Sequence, residues 1–346
     1  MSEFRWDPLK RTWSITANHR ERHPREFFVD RQRVTMTACP FCPGREDRTP
    51  PEVFAVRNPV AGSAFPPWRV RVVPNKFPLL RIEGALDRHP EGLYQAMQGI
   101  GAHEVIIETP DHDQSLADLD LKQLTCIFQA YRQRLLDLRL DKRFRYLQIF
   151  KNHGVEAGSP VSHPHSQLMA VPITPPLLKV ELNACRSYYQ EQQRCLSCDL
   201  IAQDRADGRR VVYDDEHFIV VTPYASTSPF ELRLFPVRHN HDFALETDQA
   251  LAQFAAALRN TLQRLRSLLR DPPYNFILHT APPAHPRAGR PDDWMSLAND
   301  FHWHLELVPR LKRIAGFEWG SGVFINSMPS EDAARHLRSV DMPTRL

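Results

Sequence analysis

The sequence predicts an α+β protein built from one unit written twice, each copy an antiparallel sheet packed against one long helix. Three observations carry that prediction. Two Cys-x-x-Cys pairs, Cys39/Cys42 and Cys195/Cys198, open two stretches that follow the same order of elements. A strongly periodic helix follows in each stretch. A His-x-His run then closes each, as His163-Pro164-His165-Ser166-Gln167 and His302-Trp303-His304-Leu305-Glu306. Strands and helices do not alternate and no Gly-x-Gly-x-x-Gly occurs, so a doubly wound parallel sheet fits poorly.

Taken in order, each Cys pair is followed by runs rich in branched apolar residues, which read as strands. They are Val70–Asn75 and Glu104–His112 in the first half, and Phe218–Pro223 and Phe230–His239 in the second. Residues 120–138 then place Leu121, Leu124, Ile127, Phe128, Tyr131 and Leu135 on one helical face. Residues 248–269 do the same with Leu251, Phe254, Leu258, Leu262, Leu265 and Leu269. Asp118 and Thr247 are the expected N-caps. Strands Tyr146–Phe150 and Tyr274–Leu278 come next, and then the His-x-His strands. On an extended strand, residues 163, 165 and 167 project to one side about 7 Å apart. Prolines cluster at 40–51, 59–67, 172–176 and 282–291, where loops or joints are expected. The group Pro172–Pro176 sets the expected boundary between domains 1–176 and 177–346.

The 346 residues suffice for two domains, and 42% hydrophobic with 25% charged residues is ordinary for a soluble globular protein. A net charge of +3 is too mild to indicate nucleic acid, and no aromatic-basic stripe is present. No apolar run reaches the ~18 residues of a membrane span. Residues Met1 to Trp6 do not read as a signal peptide, so a cytoplasmic protein is expected. The basic cluster Arg20, Arg22 and Arg25 suits a phosphorylated small molecule.

Without a secretion signal, the Cys-x-x-Cys pairs point to metal ahead of disulfides. Zinc favours four tetrahedral sulfur or nitrogen ligands, and each half offers such a set. The first is Cys39, Cys42, His112 and His163; the second is Cys195, Cys198, His239 and His302. A competing second set, Glu181, His279, His302 and His304, suits iron or zinc. The two second sets share His302, so only one of them is complete; the Cys-containing set is preferred because it matches the first half. Cys126 and Cys185 read as packing residues.

These residues resemble the galactose-1-phosphate uridylyltransferase family, a branch of the histidine-triad superfamily, over nearly the whole chain. The resemblance rests on Asp7-Pro8-Leu9 with Trp13, His19-Arg20, Cys39-Pro40-Phe41-Cys42 and Val73-Pro74-Asn75-Lys76-Phe77. It continues through Pro110-Asp111-His112, Phe150-Lys151-Asn152-His153-Gly154, the His163–Gln167 run, Phe301–His304 and Arg310–Glu318. It implies a duplicated histidine-triad-like domain of two antiparallel half-barrel sheets. It implies that His165 is the nucleophile and Gln167 a ligand of the transferred phosphoryl group. A covalent nucleotidyl-histidine would then carry a nucleoside monophosphate from a nucleotide sugar to a hexose 1-phosphate. Arg20, Asn75, Asn152, Gly158, Ser159, Lys312, Phe317 and Glu318 match positions that bind substrate. A homodimer is implied, with one subunit's C-terminal segment reaching the other's site.

Departures from the family pattern keep alternatives open. Ser166 stands where the uridylyltransferases carry glycine, and His-Pro-His-Ser-Gln also looks like the related ADP-glucose phosphorylases. Pro160 replaces a phosphate-binding serine, and His23 an arginine. A dinucleoside polyphosphate hydrolase and a non-catalytic nucleotide-binding zinc protein are the other readings. Glu306 replaces the glutamine in the second half. A carboxylate repels phosphate, so that half is read as structural.

Overall fold

The computed structural model describes residues 2–17, 22–29, 38–57, 68–286 and 294–342. The first half runs β1 (Glu3–Asp7), β2 (Thr12–Thr16), β3 (Phe54–Arg57), β4 (Trp68–Pro74), β5 (His89–Glu91), β6 (Tyr94–Ala96), β7 (Ala102–Ile107), α1 (Leu121–Leu138), β8 (Tyr146–His153) and β9 (His165–Val171). The second half begins with α2 (Pro176–Gln192), α3 (Leu196–Asp207), β10 (Val211–Asp214), β11 (Phe218–Val221), β12 (Leu232–Pro236) and α4 (Asp248–Leu269). It ends with β13 (Tyr274–His279), α5 (Leu297–Asp300), β14 (His304–Pro309), α6 (Gly316–Ser321), β15 (Phe324–Asn326) and α7 (Ser330–Arg338). No helix among the described residues is long and apolar enough to cross a membrane.

Ten strands form one sheet in the order β10-β11-β12-β14-β13-β8-β9-β7-β4-β3. All its pairings are antiparallel. Outward from the β8–β13 seam, the order β9, β7, β4, β3 on one side mirrors β14, β12, β11, β10 on the other. The duplication read in the sequence is therefore present, with the two half-sheets joined edge to edge. The seam runs from Tyr274 opposite His153 to Leu278 opposite Ile149. Joining the halves there removes two free edges at once.

The two long helices cover one face. Leu124, Ile127, Phe128, Tyr131 and Leu135 of α1 are buried against Leu251, Phe254, Leu258 and Leu262 of α4. The rings of Phe128 and Phe254 meet at 4.6 Å. Thr247 caps α4 as expected, accepting from Ala250 N–H at 3.1 Å. The α1 cap is Asp120, which accepts from Gln123 N–H at 2.7 Å; Asp118 instead accepts from Ser115 in the preceding turn. Leu121, expected on the buried face, lies in the first turn and is 40% exposed. A second core contains Leu178 and Leu182 of α2 with Tyr146 and Phe301. β15 pairs in parallel with β2, so the two ends of the chain share a small sheet.

Candidate active site and metal centres

The first Cys/His set converges because β7 ends at Ile107. The chain then leaves the sheet, carrying Thr109 and His112 toward the loop of Cys39 and Cys42. One ligand atom from each of Cys39, Cys42, His112 and His163 lies within 4.8 Å of the others. The Cys42 Sγ is 3.5 Å from His112 Nδ1 and 3.7 Å from His163 Nδ1. His163 Nε2–H donates to the Thr109 carbonyl at 2.8 Å, so its Nδ1 lone pair is left free. Holding the far nitrogen in this way is how metal-ligating imidazoles are oriented. Burial and the adjacent Cys39 push the Cys42 thiol up to about 11. A divalent cation held by these four residues would relieve both costs, and two thiolates with two imidazoles suit tetrahedral zinc.

The second half repeats the geometry. Cys195 is the N-cap residue of α3 and Cys198 sits in its first turn. Cys198 Sγ is 3.4 Å from His239 Nδ1 and 3.5 Å from His302 Nδ1. Both far nitrogens donate to carbonyls, His239 to Ala298 and His302 to Pro236, each at 2.9 Å. His302 thus stands with the cysteines, which corrects the competing set. Glu181, His279 and His304 form a separate group without it. Within that group His279 donates to Glu181 at 2.9 Å and stacks on His304 at 4.6 Å. Burial works against the charge of His279, but Glu181 and Glu306 push its pKa up to about 9.

His165 is the first residue of β9; His163 lies in a bend just before it, where the sequence reading had placed strand. His165 Nδ1–H donates to the His163 carbonyl at 2.9 Å, fixing the tautomer with the Nε2 lone pair free. The Phe41 ring, between the two cysteines, packs edge-on against His165 at 5.4 Å and His163 at 6.0 Å. The Cys39–Cys42 loop and His165 are therefore one packed unit. Burial first, and then the Lys151 ammonium, push the His165 imidazole down to about 4, so it is neutral at pH 7.

Behind β9 runs a buried polar chain that sequence reasoning missed. Lys151 Nζ donates to Glu108 at 2.6 Å and to the His165 carbonyl at 3.0 Å. Tyr131 Oη–H donates to Ser166 Oγ at 2.7 Å and lies 3.3 Å from Glu108. Ser166 therefore faces the core, away from the side occupied by the His165 ring. Its only advance signal was two charged residues, Glu108 and Lys151, beside β-rich runs.

Gln167, two residues along β9, has its Oε1 2.8 Å from His103 Nε2, and Asn75 Nδ2 lies 3.1 Å from the same nitrogen. The Asn152 side-chain oxygen accepts from Asn275 of the second half at 2.8 Å. Asn275 also donates to the Ala157 carbonyl at 2.8 Å, steadying the loop with Gly158 and Ser159. That loop turns through Gly154 and Gly158, both near φ +90°, where a side chain is strained. Neither His103 nor Asn275 was singled out from sequence.

Lys312, Phe317 and Glu318, the other expected site residues, belong to the C-terminal segment. Lys312 donates to Glu318 at 2.6 Å and to the Ile325 carbonyl, and Phe317 is 54% exposed on α6. The hydrogen bonds of Lys312 and Glu318 stay within the C-terminal segment. Arg20 lies outside the described residues. In the second half, His304 repeats the bond to residue n−2, at 3.1 Å. There, Glu306 pairs with Arg233 and Lys10, each at 2.9 Å, and Arg233 with Asp7 at 2.5 Å. The counterpart of Gln167 is thus locked in an ion network.

Family models match both halves of the chain. The N-terminal domain of galactose-1-phosphate uridyl transferase matches residues 1–175, and its C-terminal domain matches residues 181–340. The ADP-glucose phosphorylase of Arabidopsis thaliana is 33% identical over 98% of this chain and 93% of its own length. The galactose-1-phosphate uridylyltransferase of Thermotoga maritima is 27% identical over 99% of both. The crystal structure of the Arabidopsis phosphorylase with bound ADP-glucose superposes with a TM-score of 0.81 at 32% identity, covering 99% of this chain and 100% of that one. From its sequence, its duplicated sheet and its paired Cys/His clusters, the chain belongs to the galactose-1-phosphate uridylyltransferase family.

Proposed function

We propose that the chain transfers a nucleoside monophosphate between hexose 1-phosphates through a covalent intermediate on His165. The observation that carries this reading is the tautomer of His165: a buried, neutral imidazole with Nδ1–H bound to a carbonyl and Nε2 free. Nε2 attacks the α-phosphorus of a nucleotide sugar and forms a P–N bond. The bond from that phosphorus to the bridging oxygen breaks, and hexose 1-phosphate leaves with the electron pair. The ring keeps its Nδ1 proton, so the adduct is cationic, and the His163 carbonyl stabilises it. A phosphate oxygen of the second sugar phosphate then attacks the same phosphorus and displaces Nε2. Gln167 and the amides of the 154–158 loop suit the charged equatorial oxygens.

UDP-glucose with a hexose 1-phosphate acceptor, as in galactose metabolism, is the first reading of the substrates. The second, ADP-glucose with inorganic phosphate, is favoured by the 33% identity to the Arabidopsis phosphorylase. Intact-mass analysis after mixing with each nucleotide sugar separates them by the adduct formed. His165→Ala should form neither adduct and give no turnover, and a wild-type protein that forms none refutes the covalent route.

Two zinc ions per chain, held by the two Cys/His sets, would fix the loops that seat Phe41 and the ends of β9 and β14. The unpaired state of all six cysteines fits a cytoplasmic, reducing compartment. A homodimer in which Lys312, Phe317 and Glu318 serve the partner's site fits a C-terminal segment whose Lys312 and Glu318, among the described residues, bond only within it. The exposure of Phe317 and Trp319 supports it. Sedimentation of the purified chain as a monomer would count against that part.

A further inference from the structure

We infer that His103 is a positioning residue that sets which way the substrate-facing amide of Gln167 points. The inference rests on the reading of Gln167 as a phosphoryl ligand and adds what makes it one. A glutamine amide has an oxygen face and an NH2 face, and only the NH2 face helps a phosphoryl oxygen. Something must therefore decide the flip.

His103, on β7 and 8% exposed, can do so because its own tautomer is decided by the backbone. Leu79 N–H points at His103 Nδ1 at 3.4 Å, so Nδ1 accepts and the proton resides on Nε2. Nε2–H then donates to Gln167 Oε1 at 2.8 Å. With its oxygen held, Gln167 turns its NH2 outward. The same nitrogen faces Asn75 Nδ2 at 3.1 Å, but two N–H donors do not bond each other. The Asn75 oxygen accepts from Phe77 N–H at 2.9 Å, so that amide cannot turn over either. Its NH2 has no acceptor among the described residues. The amides of Gln167, on β9, and Asn75, just past β4, thus flank the same ring. The backbone of Asn75 is tied to the same residue, its N–H donating to the His103 carbonyl at 2.8 Å. The register supports the arrangement, since β7 pairs with both β4 and β9 and so lies between the two amides.

The test compares His103→Phe, which keeps the ring shape, and His103→Gln, which restores one N–H donor, in the metal-loaded full chain. UDP-glucose and ADP-glucose are the probes. Losing a positioned donor to a developing oxyanion costs about 10²–10³ in rate. We expect His103→Phe to lower kcat and kcat/KM together by about 10²-fold with KM little changed, and His103→Gln to recover part of it. In a Gln167→Leu background, His103→Phe should have no further effect, because its action passes through that amide. An equal fall in both backgrounds overturns the inference, as does a wild-type rate for His103→Phe. Nitrogen-15 NMR of the wild-type protein gives an independent reading: protonated Nε2 and bare Nδ1 are expected, and a protonated Nδ1 overturns it whatever the kinetics. Absence of any covalent adduct in the wild-type protein would instead sink the His165 mechanism and leave the NMR result standing.

Discussion

Replacing Lys151 by methionine tests whether the strand of His165, the proposed nucleophile, is held from behind. Lys151 is 2% exposed and Glu108 is fully buried, and they meet at 2.6 Å. Methionine keeps the volume of the aliphatic stem but leaves the Glu108 carboxylate without its counterion. Breaking one partner of such a pair costs about 3–5 kcal/mol, because the surviving charge has been stripped of water. Removing both charges, as in Lys151→Met with Glu108→Leu, should return most of that loss, since a well-packed apolar pair is often as stable as the ion pair. Urea unfolding should therefore show a clear drop in midpoint for the single variant, with an unchanged slope and partial recovery in the double. Transfer activity should fall further than stability explains in both, because each lacks the donor to the His165 carbonyl. A single variant within about 1 kcal/mol of wild type would refute the reasoning, as that is the usual range of an exposed pair.

Ser166→Gly, which installs the uridylyltransferase residue, should leave base preference unchanged. It should cost about 1–3 kcal/mol through the lost Tyr131 partner; a switch between UDP-glucose and ADP-glucose would show that Ser166 reaches substrate. Metal analysis should find close to two zinc ions per chain, and chelation should lower the unfolding midpoint; a metal-free chain of undiminished stability would remove both centres. Asp7 and Glu306 are held below the ordinary carboxylate range because, despite burial, Arg233 and Lys10 favour their charge. Their contribution to stability is therefore present above their unfolded values near ~4 and lost as pH falls through their depressed native values. Lys10→Met should flatten that acid limb of the urea midpoint, and an unaltered limb would place the sensitivity elsewhere.

Much of this architecture was legible because it repeats. Two helices with an unbroken apolar stripe, and two Cys-x-x-Cys pairs each trailed by histidines, reinforce one another in a way that a single copy does not. The misreadings are local. Asp118 and Asp120 both suit an N-cap, and only the turn closed by Ser115 and Asp118 pushes the helix start to the later one. Residues 172–175 are irregular as expected, and only Pro176 opens α2, since proline is well suited to a first helical turn. His103 and Gln167 are 64 residues apart, and Asn152 and Asn275 are 123 apart. No local pattern joins such partners; strand register does. The merger of Glu181, His279, His302 and His304 into one set failed for a related reason. Alternate residues on a strand point one way, but His302 precedes β14 as His163 precedes β9, and ahead of the strand each turns its Nδ1 toward a cysteine.

The two halves have diverged without separating. In the second, the place of Gln167 is taken by Glu306, and its charge is neutralised by Arg233 and by Lys10, which arrives from the N-terminal segment. In the first, the loop that follows β8 is steadied by Asn275, which arrives from β13. Each half thus supplies a residue that the other needs. A cut at the expected boundary near residue 176 would also expose the partner edges of β8 and β13 along the whole seam. The duplication marks a history of two units, but the energetics are those of one sheet. Each half of that sheet is built against the other.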